Sequence, residues 1–71
     1  QNAESTADFI HKLSIAQKEC DETIYWLDLL EATSFLNKNE HFKVRNEAQE
    51  LLKIIRSIIL TTKQNRVKNY N

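Results

Sequence analysis

Residues 50–62 read ELLKIIRSIILTT, and this strongly apolar stretch decides the fold. Its apolar residues recur at alternating steps of four and three, which places them on one side of an α-helix. The members of this series, with two from the preceding turns, are Val44, Ala48, Leu51, Ile55, Ile58 and Thr62. Further apolar residues widen the stripe: Leu52, Ile54, Ile59 and Leu60. The pattern predicts a helix over about 40–64 that can contact more than one neighbour.

A second apolar series with the same spacing lies in the first half of the chain. Its members are Phe9, Leu13, Ala16, Cys20, Thr23, Leu27 and Leu30. Ser5 is a suitable N-cap, and Asp8 follows it at the position that completes a variant capping box. A helix is therefore predicted over about 6–32. Its stripe is widened in the same way, by Ile10, Ile24, Trp26 and Leu29.

Residues 33–39 interrupt the periodicity with small and polar side chains, and Asn37 or Asn39 can cap the helix that follows. A connection this short forces the two helices to run antiparallel. Residues 65–71 lose the period and are expected to form a frayed basic tail. The predicted fold is all-α: a long antiparallel helical hairpin, in a single domain fragment over residues 1–71.

The composition agrees with this fold class. The chain has no Gly and no Pro, and it is 41% hydrophobic and 28% charged, as a helical protein in water would be. It lacks an apolar run long enough to span a membrane, and its first residues lack the pattern of a signal peptide. The single cysteine, Cys20, cannot form an internal disulfide. We expect a cytoplasmic protein with no membrane partner.

Charge is distributed unevenly along the chain. Residues 1–36 carry two basic and seven acidic side chains, and residues 37–71 carry eight basic and three acidic ones. Two antiparallel helices with complementary flanks would explain this segregation. A basic second helix that faces an acidic or phosphate-bearing partner would explain it equally well. The first interpretation is favoured because exposed charges usually do no more than solvate a helix face.

Two helices of this length cannot bury their apolar side chains against each other alone. Ordering them costs more conformational free energy than one seam between two helices recovers. Partners are therefore expected. They could be two more helices of a longer chain, as the abrupt opening at Gln1 suggests, or other copies of this chain, or both.

Three segments carry a resemblance to a known family. They are ADFIHKL at residues 7–13, Glu-Thr-x-Tyr-Trp-Leu at 22–27 and Glu-Leu-Leu-x-Ile-Ile-x-Ser-Ile-Ile at 50–59. Over about residues 1–65 the chain resembles the four-helix-bundle proteins encoded in intervening sequences of bacterial 23S ribosomal RNA genes. The resemblance implies an up-and-down four-helix bundle, of which this chain holds the second half and lacks the N-terminal helices. It also implies homo-oligomers, pentamers among them, and no enzymatic activity. A similar bundle contacts a reverse transcriptase and nucleic acid.

The candidate interface residues follow from the apolar series and the aromatic rings. Tyr25 and Trp26 are predicted interface anchors, because large rings with one polar tip dominate such contacts. Glu22 lies one turn from Glu19. It is predicted to be a buried polar residue that fixes helix register, with a catalytic carboxylate pair as the weaker alternative. The full set of predicted core and interface residues is Phe9, Leu13, Cys20, Tyr25, Trp26, Leu27, Leu51, Ile55, Ile58 and Ile59.

The sequence predicts no enzyme, no metal and no cofactor. Asp8 and His11 form one carboxylate-x-x-His pair, but a di-iron bundle needs a second such pair, which is missing. No Cys and His residues have the spacing of zinc ligands. Cys20 lies on the apolar stripe, where a small and unreactive hydrophobe is expected.

One basic stripe could bind phosphate groups. Lys53 and Arg56 are one turn apart, and Lys63 lies one heptad beyond Arg56, so the three lie close to one face of the helix. Together with Arg66 and Lys68, this stripe could bind RNA with a strong dependence on salt. The alternative is a solvated face whose charges pair with acidic residues of the first helix.

Overall fold

The computed structural model describes the backbone of residues 3–70 and the side chains of residues 5–65. Over that range it consists of two helices, α1 (Ala3–Ala32) and α2 (Lys38–Tyr70), joined by residues 33–37. The helices lie side by side and antiparallel, in a shape that measures 53 × 15 × 13 Å. The predicted all-α helical hairpin is confirmed.

Helix α1 begins before its predicted N-cap. Ser5 lies inside the helix, so the prediction that it caps a helix starting at about Thr6 is wrong. Ala3 and Glu4 have high helix propensity, and their backbone therefore continues the helix towards the N-terminus. Asp8 forms an exposed ion pair with Lys12 four residues later, with 3.0 Å between Oδ2 and Nζ.

Helix α1 ends in a Schellman motif. The Phe35 amide donates to the Leu30 carbonyl at 2.9 Å, and the Ser34 amide donates to the Glu31 carbonyl at 3.0 Å. These two bonds satisfy carbonyl groups that the end of a helix leaves without partners. Ser34 has a φ of 67°, the left-handed conformation that this motif requires and that glycine usually provides.

Helix α2 begins with a capping box built on Asn37, one of the two caps predicted. Asn37 Oδ1 accepts a hydrogen bond from the Glu40 amide at 2.7 Å, and Glu40 Oε1 accepts one from the Asn37 amide at 3.3 Å. The helix then continues to Tyr70, past the predicted end near Gln64. No Gly or Pro follows residue 64 to stop it, and basic residues are favourable near a helix C-terminus.

The two helices contact each other along a narrow seam. Within residues 5–65, three apolar residues are buried there: Cys20, Leu52 and Ile55. Partly buried residues extend the seam in both directions. They are Ile10, Leu13, Ile24 and Leu27 on α1, and Ala48 and Ile59 on α2.

This seam corrects the register predicted for the apolar series. Phe9, Leu51 and Ile58 belong to the predicted series but are exposed in the hairpin, whereas Leu52, placed at its edge, is buried. Ile55 belongs both to the predicted apolar series of α2 and to the observed seam, because two series with steps of four and three can share members. The apolar stripe is wider than one helix can cover, so periodicity alone did not identify the part that faces α1.

Candidate assembly surface

One broad side of the hairpin carries an apolar groove between α1 and α2. The seam residues Cys20 and Ile55 line the groove, and small side chains keep it open. The groove has a volume of about 500 Å³. Its lining consists of Lys12, Ile15, Ala16, Glu19, Cys20 and Thr23 on α1, and Ala48, Leu51 and Ile55 on α2.

The apolar surface extends beyond the groove towards both ends of the hairpin. Each residue of an α-helix is rotated by about 100° from the one before it, so the side on which a residue lies follows from its number. On this basis the groove side also carries six exposed large hydrophobic residues: Phe9, Trp26, Leu30, Val44, Ile54 and Ile58. We call this side, with the groove, the groove face. It is continuous with the seam, so one apolar surface is shared between the α1–α2 contact and solvent.

The exposed apolar side chains outnumber the buried ones. Thirteen large hydrophobic residues are exposed and three apolar residues are buried in the described part of the chain. Single exposed hydrophobic residues are ordinary, but a contiguous apolar surface marks an interaction site. The arrangement is that of a helix pair whose outer apolar side is available to further helices.

The predicted core and interface residues separate into two groups. Cys20 and Ile55 are buried, and Leu13, Leu27 and Ile59 are partly buried between the helices. The Cys20 thiol donates to the Ala48 carbonyl at 3.2 Å, so this side chain is packed against α2, as expected of a small hydrophobe. The other group is exposed on the hairpin: Phe9, Tyr25, Trp26, Leu51 and Ile58.

The two predicted aromatic anchors are adjacent and exposed. The rings of Tyr25 and Trp26 meet edge to face, with 5.3 Å between their centroids and 72° between their planes. They are 61% and 57% exposed, so neither contributes to the α1–α2 seam. Their role as interface anchors stays a prediction about a further partner.

Glu22 does not occupy the position predicted for it within the hairpin. It is exposed, as is Glu19, which lies at the rim of the groove. The reason is helical rotation, because Glu22 lies about 200° round α1 from the buried Cys20 and so faces away from α2. Any role of Glu22 in fixing register therefore requires a helix outside the hairpin.

A polar cluster near the connection joins the two helices. Asp28 Oδ1 accepts a hydrogen bond from Arg45 Nε at 2.8 Å, and Arg45 Nη2 donates to Oδ2 at 3.4 Å. His41 Nε2 lies 2.7 Å from the same Oδ1. The hydrogen bond from Arg45 and then that of His41 lower the pKa of Asp28, while desolvation acts in the opposite direction. The same contact with Asp28 raises the pKa of Arg45.

This cluster was not predicted from the sequence. Its one signal in the sequence was the segregation of charge between the two halves of the chain. The pairing of Asp28 with Arg45 and His41 could not be assigned before the register of the seam was known. Among the described ion pairs, those of Asp28 link the two helices, while the remaining pairs lie within one helix. The interpretation of complementary flanks is thus supported at Asp28.

The role of the predicted basic stripe in binding phosphate stays a prediction. Lys53, Arg56 and Lys63 are exposed along α2. Lys53 Nζ lies 3.8 Å from Glu50 Oε1, and within the described side chains Arg56 and Lys63 have no ion-pair partner. The side chains of Arg66 and Lys68 lie outside the described residues.

The described residues lack a metal-binding group and a membrane-spanning helix. No three His, Cys, Asp or Glu side chains come together as a group that could hold a metal ion. Neither helix, over the residues described, combines the length and apolar character that crossing a membrane requires.

Comparison with known proteins relates the chain to one family. A family model described as 23S rRNA-intervening sequence protein matches residues 1–57, which is most of the chain. No curated protein and no solved structure gives a significant match.

Proposed function

Since this chain belongs to the 23S rRNA-intervening sequence protein family, we propose that it functions by helix–helix self-assembly and not by catalysis. The observation that carries the proposal is the groove face, a contiguous apolar surface that the hairpin leaves exposed. Burial of apolar surface is the dominant favourable term in protein association. The hairpin thus has a strong driving force for contact with further helices.

The product of assembly is proposed to be a homo-oligomer with four-helix-bundle packing. In such bundles each helix buries side chains against two neighbours, and the wide stripes on α1 and α2 have this character. The exposed pair of Tyr25 and Trp26 supports the proposal, because aromatic residues are enriched at interfaces. The family resemblance supports a bacterial source, and the cytoplasm stays the proposed compartment.

Light scattering after size exclusion, combined with circular dichroism over a dilution series, tests this proposal on the 71-residue chain. We expect a discrete helical oligomer whose melting temperature rises with protein concentration, because assembly stabilises the folded state by mass action. A helical monomer that melts at the same temperature at every concentration would refute the proposal.

RNA binding is the second candidate function. It is favoured by the position of Arg56 and Lys63 on a side of α2 away from the groove face, where the described residues offer no acidic partner within ion-pair distance. Basic side chains without intramolecular partners can neutralise phosphates and release counterions. This surface would stay accessible in an assembly formed through the groove face.

A retention assay with ribosomal RNA at low salt tests the second candidate. The double variant Arg56→Gln and Lys63→Gln should lose retention, whereas Lys43→Gln, an exposed change elsewhere on α2, should not. Equal retention of parent and double variant, or no retention of the parent at low salt, would exclude this basic surface as an RNA site.

A further inference from the structure

We propose that the groove face is occupied by a second copy of this chain, packed groove face to groove face in a two-copy, four-helix assembly. This inference rests on the proposed self-assembly and adds the surface, the partner and the number of copies. Two observations support it: the excess accessible surface of the chain and the apolar character of the groove face. The charge of the groove face then predicts how the contact responds to salt.

The accessible surface of the chain is larger than its mass requires. It is 5741 Å², whereas a compact monomer of 8.4 kDa would expose about 4,600 Å². The difference of about 1,100 Å² per chain is within the area that one partner buries in a stable dimer, which is about 800 Å² or more. One interface with one further copy would therefore reduce the accessible surface of each chain to the value expected of a compact folded protein.

On the groove face the surface available to a partner is mainly apolar. Leu51 lines the groove and is 52% exposed, and small side chains such as Ala16 and Ala48 beside it let another helix approach closely. The opposite side of α2 differs, since its exposed hydrophobic residues Phe42 and Leu60 stand 18 positions apart with basic side chains between them. A second copy buries the most apolar surface when the two groove faces meet.

The charged rim of the groove face predicts how this contact responds to salt. By the helical rotation, the groove side of the hairpin carries more acidic than basic side chains. They are Asp8, Glu19, Glu40, Glu47 and Glu50 against Lys12 and Lys43. Two such rims repel each other weakly, and salt screens that repulsion. Groove-to-groove association should thus strengthen with salt, whereas a groove face packed on the basic side of another copy would weaken.

The experiment compares two leucine-to-lysine variants of the full chain by sedimentation equilibrium. Leu51→Lys places a charge in the groove. Leu60→Lys is its matched control. Leu60 is 58% exposed and lies nine residues, or two and a half turns, beyond Leu51, on the opposite side of α2. Each dimer of the first variant loses two buried leucines, so its Kd should rise by roughly a hundredfold or more. The control should keep the parent Kd.

The possible results separate this inference from the proposed function. The inference is supported if the parent is a dimer that Leu51→Lys disrupts and Leu60→Lys leaves unchanged. The Kd of the parent dimer should also fall between about 0.05 and 0.5 M NaCl. An oligomer that tolerates Leu51→Lys, contains more than two copies or weakens with salt overturns it, while self-assembly stands. A parent that stays monomeric at all concentrations removes both.

Discussion

Replacing Ser34 with glycine should stabilise the hairpin. Ser34 has a φ of 67°, and a left-handed conformation costs a residue with a Cβ roughly 1–2 kcal/mol. Glycine avoids that cost but loses more conformational entropy on folding, by roughly 0.5–1 kcal/mol. The difference predicts a net gain of about 0.5–1 kcal/mol for Ser34→Gly. The Schellman hydrogen bonds are made by the backbone and remain available to the variant.

Thermal unfolding by circular dichroism at one fixed protein concentration measures this gain. A change of 1 kcal/mol shifts the melting temperature of a domain of 60–100 residues by about 4–8 °C, so Ser34→Gly should melt about 2–8 °C higher than the parent. Ser34→Ala serves as a control and should bring no gain, because alanine keeps a Cβ. Ala32→Gly, within the last turn of α1, should lower the melting temperature. A variant Ser34→Gly that melts at or below the parent temperature would show that the left-handed residue is not a source of strain.

Three further predictions concern the cap, the seam and the polar cluster. Asn37→Ala removes the capping box and should cost about 1 kcal/mol in urea unfolding, whereas Asn39→Ala, one residue inside α2, should cost less; equal losses would contradict the assignment of the cap. Leu52→Ala empties a buried position and should cost about 2–4 kcal/mol in a chain kept dilute enough to be monomeric, more than Leu51→Ala at its exposed neighbour; the reverse order would restore the register predicted from sequence. The pKa of Asp28 is lower in the folded chain than its ordinary value of 3.8, so its contribution to stability is present above about pH 4 and is lost as the pH falls through the lower folded pKa. Melting temperatures measured from pH 6 to pH 3 should fall more for the parent than for Asp28→Asn, and parallel curves would argue against this linkage.

The architecture could be predicted because each local signal is strong. The absence of Gly and Pro and two long series of steps of four and three specify two helices, and Asn37 marks the start of the second one. Ser34 was not recognised as the left-handed residue of the Schellman motif that ends α1, since serine seldom adopts this conformation. The start of α1 was misplaced because Ser5 resembles a cap although helix-forming residues precede it.

The candidate surface was predicted less completely, for a reason of geometry. An apolar stripe wider than one helix contact contains two overlapping registers, and only the position of α1 shows that Leu52 faces inward while Leu51 faces outward. The pairing of Asp28 with Arg45 depends on the same register, because it joins residues 17 positions apart across the connection. Contacts between helices thus require the relative placement of the helices, which periodicity along one chain does not contain.

The short connection of residues 33–37 has a consequence for the order of folding events. Closing so small a loop costs little entropy and takes on the order of 0.1 μs or less, so α1 and α2 meet quickly in each separate molecule. In the proposed assembly, covering the outer apolar surface requires an encounter between molecules, which is slower and depends on concentration. Refolding after dilution from denaturant should therefore begin with a fast unimolecular phase, followed by a second phase whose rate increases with the amount of protein.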